Sequence, residues 1–183
     1  MIAPYKVPTG KRLERARQIF DAFADRDALT AGESTASSGV RIAFSRLYAF
    51  AANPDPSHDP ALSGALKTDA RLAADFRQVL EINAIANLPR VAAADTGPMT
   101  TRDGEGCRMW MVPSEAEPDQ MYVIFELNDP DAQPKNLILL DGGLFDLTYP
   151  LPPARNGTIQ LIMKREDTLV GKLGRPRSEV FLG

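Results

Sequence analysis

The sequence of 183 residues has very few of the side chains that bind metals or act as nucleophiles, with one cysteine, Cys107, and one histidine, His58. One cysteine cannot form an internal disulfide, and a zinc site of the usual kind needs three or four cysteine or histidine ligands. We therefore expect no disulfide, no metal and no other cofactor. His58 stands in a proline-bracketed loop, where we expect an exposed side chain beside a helix N-terminus rather than the base of a catalytic triad.

Long apolar runs are missing as well. No stretch of about 18 consecutive apolar residues occurs, which excludes a membrane-spanning helix. Residues 1–11 lack the apolar segment that is typical of a secretion signal. Together with the single cysteine, these features predict a cytoplasmic protein that has no contact with a membrane.

Glycine-rich loops that cradle phosphate groups are absent. The usual nucleoside triphosphate loop would need a glycine five residues before Gly171, where Glu166 stands. A dinucleotide loop that began at Gly104 and Gly106 would need a third glycine where Met109 stands. Both loops need a backbone without a Cβ atom at these positions, so the sequence excludes them.

The charge balance gives no general signature of nucleic-acid binding. The 21 lysines and arginines are outnumbered by 24 aspartates and glutamates, and the net charge is −3. Nucleic-acid-binding domains usually carry a basic face instead. One local exception is the ridge formed by Lys11, Arg12 and Arg15 on a first helix predicted over residues 11–26, which we interpret as a solvated helix face.

The order of sequence patterns predicts an α+β fold. Residues 1–92 form a helical part, residues 93–105 a linker and residues 106–183 a β part, and we expect the parts to share one compact domain. Three to four N-terminal helices would pack on a C-terminal, mainly antiparallel sheet of five to six strands. This sheet could curl toward a barrel, because its strands follow one another through short connections.

Capping residues indicate where the helices after the first one begin. A second helix is expected over residues 39–52, and it is apolar on most sides, so we place it centrally. Asp59 followed by Pro60 is a typical helix start, and Asp69 or its neighbour Thr68 starts the next helix.

Apolar and β-branched runs between turn signals predict the strands. Asp141 followed by two glycines is typical of a hairpin turn, and Asn156-Gly157 is a second strong turn signal. The expected strands cover residues 108–112, 121–127, 137–140, 144–149, 158–163 and 179–182.

Most side chains that could carry chemistry have a simpler structural interpretation. Cys107 alternates with methionines on the apolar side of its strand, so we expect a buried and inert thiol. Asp141 is expected as a turn residue and Asp146 on the polar side of its strand. These two carboxylates and Glu126 lie in or beside apolar strands, but the sequence does not show that any two of them face each other.

The second helix provides the candidate ligand site. Arg41 and Arg46 lie on this helix, and a buried arginine needs a partner because an unpaired buried charge is costly. That partner is either an acidic residue of the sheet or a bound anion. For the second case we predict a ligand-binding set of Arg41, Arg46, Tyr48, Arg108 and Trp110 in the cleft between helix and sheet.

These observations lead to three hypotheses of function. In the first, the chain is a non-catalytic regulatory or binding protein that contacts an unknown protein partner or a small anionic ligand, and a homodimer would cover spare apolar faces. In the second, it is a small enzyme that uses carboxylates or arginines in the cleft. In the third, it binds nucleic acid through the first helix. No family resemblance is evident.

Overall fold

A computed structural model describes residues 42–91 and 99–183. The chain divides into two compact units, Met1–Leu47 and Tyr48–Gly183, and the fold described below belongs to the second unit. The predicted first helix over residues 11–26 and the start of the second helix lie outside the described residues. The helices are α1 (Phe44–Ala52), α2 (Pro60–Thr68), α3 (Ala70–Asn83) and α4 (Thr168–Leu173).

The strands form two antiparallel sheets, each of four strands. The inner sheet has the order β1-β8-β5-β6, and the outer sheet has the order β2-β3-β4-β7. The strands of the inner sheet are β1 (Ala86–Leu88), β5 (Asn136–Asp141), β6 (Leu144–Pro150) and β8 (Ser178–Leu182), and those of the outer sheet are β2 (Thr101–Asp103), β3 (Cys107–Pro113), β4 (Gln120–Leu127) and β7 (Thr158–Lys164).

Aspartate caps begin three of the helices, as residues with a short acceptor side chain do. The Asp59 carboxylate accepts a hydrogen bond from the Leu62 N–H at 3.0 Å, which confirms the predicted start of α2. Asp69 accepts from two N–H groups at the start of α3, and Asp167 caps α4 in the same way. Helix α4 was not predicted from the sequence, because its six residues are too few for a clear apolar period.

The α+β class is confirmed, but the predicted single sheet of five to six strands with a barrel-like curl is wrong. The chain changes sheet between β4 and β5 and again between β6 and β7, while β8 inserts between β1 and β5. The prediction assumed that consecutive strands pair with each other. Strands β5 and β8 are buried on both faces and therefore have cover from two sides, which a single open sheet with helices on one face cannot provide.

The expected split into N-terminal helices and C-terminal strands also does not hold in detail. Helix α4 lies between β7 and β8. Strand β1 falls within the predicted helical part, and β2 falls within the predicted linker. Both strands have only three residues, which is too short for an alternating pattern to be recognised.

Both predicted turns are present, with the backbone conformations that their residues favour. Gly142 and Gly143 have φ angles of 61° and 89° between β5 and β6, and Asn156 and Gly157 have φ angles of 50° and 75° before β7. A Cβ atom on Gly157 would lie 3.0 Å from the Cα of Pro130, so this turn needs glycine both for its φ angle and for the close approach.

Helices cover the face of the inner sheet that points away from the outer sheet. Phe50 of α1, Phe76 of α3 and Phe145 of β6 form an aromatic cluster with ring centroids 5.6 to 6.1 Å apart. The rings meet at steep angles, the arrangement that their quadrupoles favour. The inner sheet is therefore the middle of three layers, and its other face packs against the outer sheet through a common apolar core.

An ion pair between the half-buried Arg77 and the buried Glu179 connects α3 to the inner sheet. Arg77 donates from Nε and Nη2 to the two carboxylate oxygens of Glu179, both at 2.7 Å, and its Nη1 lies 2.9 Å from Glu81. Glu179 is only 2% exposed. The hydrogen bond to Glu179 raises the pKa of Arg77 above its usual value. A helix-to-sheet salt bridge is also one of the two alternatives predicted for Arg41 and Arg46, and for these two arginines it stays a prediction.

A buried cation, Arg102, joins the two sheets. Arg102 of β2 is 2% exposed and donates to four backbone carbonyls, which belong to residues at or near the ends of β1, α4 and β8. Burial lowers the pKa of this guanidinium. The carbonyl oxygens take the place of water around the charge. These hydrogen bonds connect β2, at the edge of the outer sheet, to β1 and β8 of the inner sheet and to α4. The acceptors are the carbonyls of Leu88, Pro89, Leu173 and Ser178.

Candidate binding face

Strict alternation in the outer sheet produces one buried face and one face that points to solvent. Successive side chains of a strand point to opposite sides. The inward side chains of β3, β4 and β7 are apolar and belong to the core between the sheets. They are Cys107, Met109, Met111, Val123, Phe125, Leu127, Ile159, Leu161 and Met163.

The opposite side of the same strands also carries large apolar side chains, although a solvated sheet face is usually polar. We call this surface the outer face. It is defined by five apolar residues on three adjacent strands, which are Trp110, Val112, Tyr122, Ile124 and Ile162.

The strand register places these five residues in two neighbouring rows. Trp110 of β3 is paired with Ile124 of β4, and Val112 is paired with Tyr122, which is paired in turn with Ile162 of β7. Paired residues on one face of a sheet have Cβ atoms about 5 Å apart, close enough for their side chains to touch. The two rows therefore form one continuous apolar surface.

Two residues of the outer face are exposed to water. Val112 is 43% exposed and Ile162 is 61% exposed, whereas Trp110, Tyr122 and Ile124 are half-buried. Among the described residues, large apolar side chains are exposed at three positions, and two of these lie on the outer face. Single exposed apolar residues are normal on a protein surface, but a contiguous group on one face is typical of an interaction site.

Charged residues border the outer face where β2 ends and β3 begins. Arg108 Nε lies 2.5 Å from the Asp103 carboxylate, and Arg108 is paired in register with Glu126. The hydrogen bond to Asp103 raises the pKa of Arg108. At the opposite end of β7, Lys164 is exposed. The face thus has an apolar centre and a charged border.

The predicted ligand-binding set is distributed over both units. Arg41 lies outside the described residues, Arg46 belongs to the unit Met1–Leu47, and Tyr48 begins the other unit. Arg108 and Trp110 are the members that share a surface, because they lie two residues apart on β3 and both point to the outer face. Their membership in one anion site with the α1 residues stays a prediction.

Helix α1 does not have the buried surroundings that the sequence suggested. Arg46 is exposed, and so are Ala49 and Ala52, whereas Phe50 and Ala51 are buried. The sequence pattern counted alanine as apolar and so predicted two apolar stripes. Alanine has little surface and faces water at small cost, so the helix is covered on one side.

The only cysteine and the only histidine have the positions expected of them. Cys107 is buried in the core between the sheets, and burial raises the pKa of its thiol to about 12, so the reactive thiolate does not form near neutral pH. The His58 side chain is 75% exposed, and its Nδ1 lies 3.1 Å from a carboxylate oxygen of Asp55. Hydrogen bonds from Ser57 lower the pKa of Asp55.

The strand carboxylates are paired with cations rather than with each other. Asp141 lies 3.0 Å from Arg175 Nη1 and 2.6 Å from Arg177 Nε, so it ties the end of β5 to the segment that precedes β8. Asp146 lies 2.5 Å from Lys172 Nζ on α4. These pairs hold connecting segments in place.

Most of the outer face was not predicted, although the sequence contains a signal for it, which is the run of consecutive apolar residues in β3 and β4. The inward residues of β3 and β4 were identified from their alternation, but only Arg108 and Trp110 were noted on the other side. On that same side, Val112 of β3 and Tyr122 and Ile124 of β4 are also apolar. A strand that is apolar at every position indicates either two buried faces or one buried face and one binding face.

The described residues contain neither a group of metal ligands nor a helix that could span a membrane. No group of three or more histidine, cysteine, aspartate or glutamate side chains in residues 42–91 and 99–183 is arranged to hold a metal ion. No helix in this part of the chain has the length and apolar character required to cross a membrane. Comparison of the chain with protein-family models, curated proteins and solved structures gives no match.

Proposed function

We propose that this chain is a non-catalytic binding protein that recognises another protein through the outer face. The observation that carries the proposal is the continuous group of apolar side chains across β3, β4 and β7, in which Val112 and Ile162 remain open to water. Exposing apolar surface is unfavourable by about 25 cal/mol per Å², and a protein partner would remove this surface from water.

The composition of the outer face supports a protein partner. Tryptophan and tyrosine are enriched at the centres of protein interfaces, where they supply most of the binding free energy, and charged residues form the rim. Trp110 and Tyr122 lie centrally on adjacent strands, while Asp103, Arg108 and Glu126 lie at the end of the face. The arrangement therefore has an aromatic centre and a charged rim.

The charges beside Trp110 favour a protein over a small anion. An anion site needs an excess of positive charge. Here the single guanidinium of Arg108 is bonded to Asp103 and is paired in register with Glu126, so two carboxylates face one cation. A small anion would have to displace Asp103 and approach Glu126, whereas an apolar protein surface makes neither demand.

The experiment is site-specific photocrosslinking in cells that express the full chain. A photoreactive amino acid replaces Val112 on the outer face in one variant and Val91 in the other. Val91 is a matched control, because it is also an exposed valine, at 42% compared with 43%, and it lies beyond β1 of the inner sheet. We expect a discrete crosslinked product from position 112 that is absent from position 91.

A further substitution tests whether the apolar centre drives the binding. Tyr122→Lys introduces a charge into the middle of the face, and we expect it to abolish the crosslink from position 112. The fold should persist, because Tyr122 points away from the core between the sheets. Identical products from positions 91 and 112, or no product from position 112, would contradict the proposal.

A further inference from the structure

Strand β7 forms one edge of the outer sheet and is unusually regular for an edge. It pairs with β4 over seven consecutive positions without a register shift, and it contains no proline. Native sheets usually protect their edges with short strands, prolines, bulges, charged side chains or covering elements, because an open edge can pair with another strand. Strand β7 has none of the first three protections, and its one charged residue, Lys164, lies at the end of the strand.

The edge strands β2 and β6 are better protected than β7. Strand β2, at the opposite edge of the outer sheet, has only three residues. Strand β6, at the edge of the inner sheet, ends in Pro150, and its pairing with β5 shifts register between Leu139 and Leu140. Helices α2 and α3 also contact β6. This contrast singles out β7.

The backbone hydrogen bonds show which groups of β7 point away from β4. The N–H of Leu127 donates to the carbonyl of Gly157 at 2.7 Å, and the N–H of Arg165 donates to the carbonyl of Asp119 at 2.7 Å. Alternate residues of an antiparallel strand direct both backbone groups to the same neighbour. The odd-numbered residues of β7 therefore bond to β4, and the even-numbered ones direct their N–H and C=O groups to the open edge.

Two residues provide most of this open edge. Thr158 exchanges hydrogen bonds with Arg155 at 3.0 and 2.8 Å, and the Lys164 carbonyl accepts from Asp167 at 2.9 Å. The edge-directed N–H and C=O groups of Gln160 and Ile162 have no partner strand in the described part of the chain. Strand pairing with an added chain would satisfy all four groups.

We propose that the occupant of this edge is a second copy of the chain, which pairs through its own β7 in antiparallel orientation. The two-fold axis passes through Leu161, so Gln160 of one copy exchanges hydrogen bonds with the partner's Ile162, and the reverse pair does the same. This register uses the four unpaired groups of each copy and joins the two outer sheets into one continuous sheet of eight strands.

The open edge is symmetric about Leu161, because its unpaired groups belong to Gln160 on one side and Ile162 on the other. This symmetry favours a second copy over an unrelated strand. Reversal about Leu161 keeps the alternation of β7, since Ile159 then faces the partner's Met163, and both belong to the core side. On the other side, Thr158 faces the partner's Lys164. Lys164 is the only charged residue of the strand, so the pairing opposes no like charges.

The proposed pairing of two β7 strands does not depend on the proposed function. Its first test is the molecular mass of the full chain in solution. We expect sedimentation equilibrium to give twice the chain mass of 20.0 kDa. Ile162→Pro removes the edge-directed N–H but no bond to β4, and proline is tolerated at such edge positions. We expect this variant to raise the dimer dissociation constant at least about tenfold, because the two-fold axis repeats the lost bond.

Ile162→Thr is the matched control, because it removes the same apolar side chain and keeps the backbone N–H. We expect it to remain dimeric. A monomer at every concentration, or a Thr variant that dissociates as readily as the Pro variant, would overturn the pairing through the strand edge.

Disulfide crosslinking provides a second test that does not require the proline variant to fold. Gln160→Cys combined with Ile162→Cys places cysteines opposite each other across the two-fold axis, with Cα atoms about 5.5 Å apart in such a pair, a distance that a disulfide spans. We expect covalent dimers from the double variant, and at least about tenfold less from either single variant, whose cysteines lie diagonally across the axis. Equal crosslinking in all three, or none, would contradict the proposed register.

Discussion

The two sheets of this chain have the same number of strands and the same antiparallel pairing, yet they occupy different surroundings. The central strands of the inner sheet, β5 and β8, are buried on both faces, whereas β3 and β7 of the outer sheet alternate between buried and open positions. The difference follows from the layers. Helices cover one side of the inner sheet. The outward side chains of β3 and β7, in contrast, are exposed or half-buried.

Charged residues differ between the sheets in the same way. Glu179 in the inner sheet is buried and requires the bidentate contact from Arg77. Arg108 in the outer sheet pairs with Asp103, and both side chains are more than half exposed. A buried charge that loses its partner is strongly destabilising, whereas exposed ion pairs contribute little to stability. Substitutions in the two sheets should therefore have very different consequences.

The largest effect is expected where the two sheets are joined. Arg102→Met keeps an unbranched side chain but leaves four backbone carbonyls without their donor, and we expect it to lower the free energy of unfolding by about 4 kcal/mol. Urea denaturation followed by circular dichroism measures this change. A loss below about 1 kcal/mol would show that water replaces the guanidinium and that the joint is not structurally important.

A slightly smaller effect is expected inside the inner layer. Arg77→Leu leaves the Glu179 carboxylate buried without its main partner, and we expect a loss of about 3 kcal/mol in the free energy of unfolding. The double variant Arg77→Leu/Glu179→Leu removes the stranded charge and should recover most of this loss. A double-mutant cycle by urea denaturation measures the coupling, and strictly additive effects would mean that the ion pair does not hold α3 to the sheet.

One identical substitution compares the two sheets directly. Val180→Ala in β8 opens a cavity in a fully buried position, and we expect it to cost about 2 kcal/mol. Val112→Ala on the outer face removes a methyl-rich side chain that is already in water, and we expect a change within about 0.5 kcal/mol. Thermal and urea denaturation of the two variants measure the contrast. Similar losses at both positions would mean that the outer face is covered in solution.

At neutral pH the smallest effect concerns the Cys107 thiol in the core between the sheets, because its pKa shift changes stability only above pH 9. Burial raises the pKa of Cys107 from 9.0 to about 12, so the unfolded chain loses this proton at lower pH than the folded chain. Stability should therefore fall as pH rises above 9, with a slope approaching about 1.4 kcal/mol per pH unit until pH 12. Subtracting the pH profile of Cys107→Ala isolates this contribution, and parallel profiles would show that the thiol is accessible to water.

The local elements were largely predictable because their signals involve neighbouring residues. Asp59 and Asp69 cap helices, Gly142 and Gly143 turn the chain between β5 and β6, and the six predicted strands are all present. The two strands and one helix that were missed have three to six residues each, which is too short for a periodic pattern.

The candidate site was only partly predictable. Arg108 and Trp110 were grouped in one candidate site, predicted in the cleft between helix and sheet, and the structure places both on the side of β3 that points away from the core between the sheets. Their surroundings come from β4 and β7, because Tyr122 and Ile162 reach the same surface only through the strand register. Strand register depends on contacts between residues about 40 positions apart, which one sequence does not reveal.

The sequence alone determined where the chain turns, where the helices of residues 59–83 begin and which side of β3 is buried, since capping, positive φ angles and alternation act over a few residues. The tertiary structure decided that the strands separate into two sheets, that Arg102 and Glu179 become buried charges, and that one sheet keeps an open apolar face. The physical reason is that burial depends on which distant segments pack together, and strands such as β5 and β8 accept cover on both faces without specifying which element supplies it.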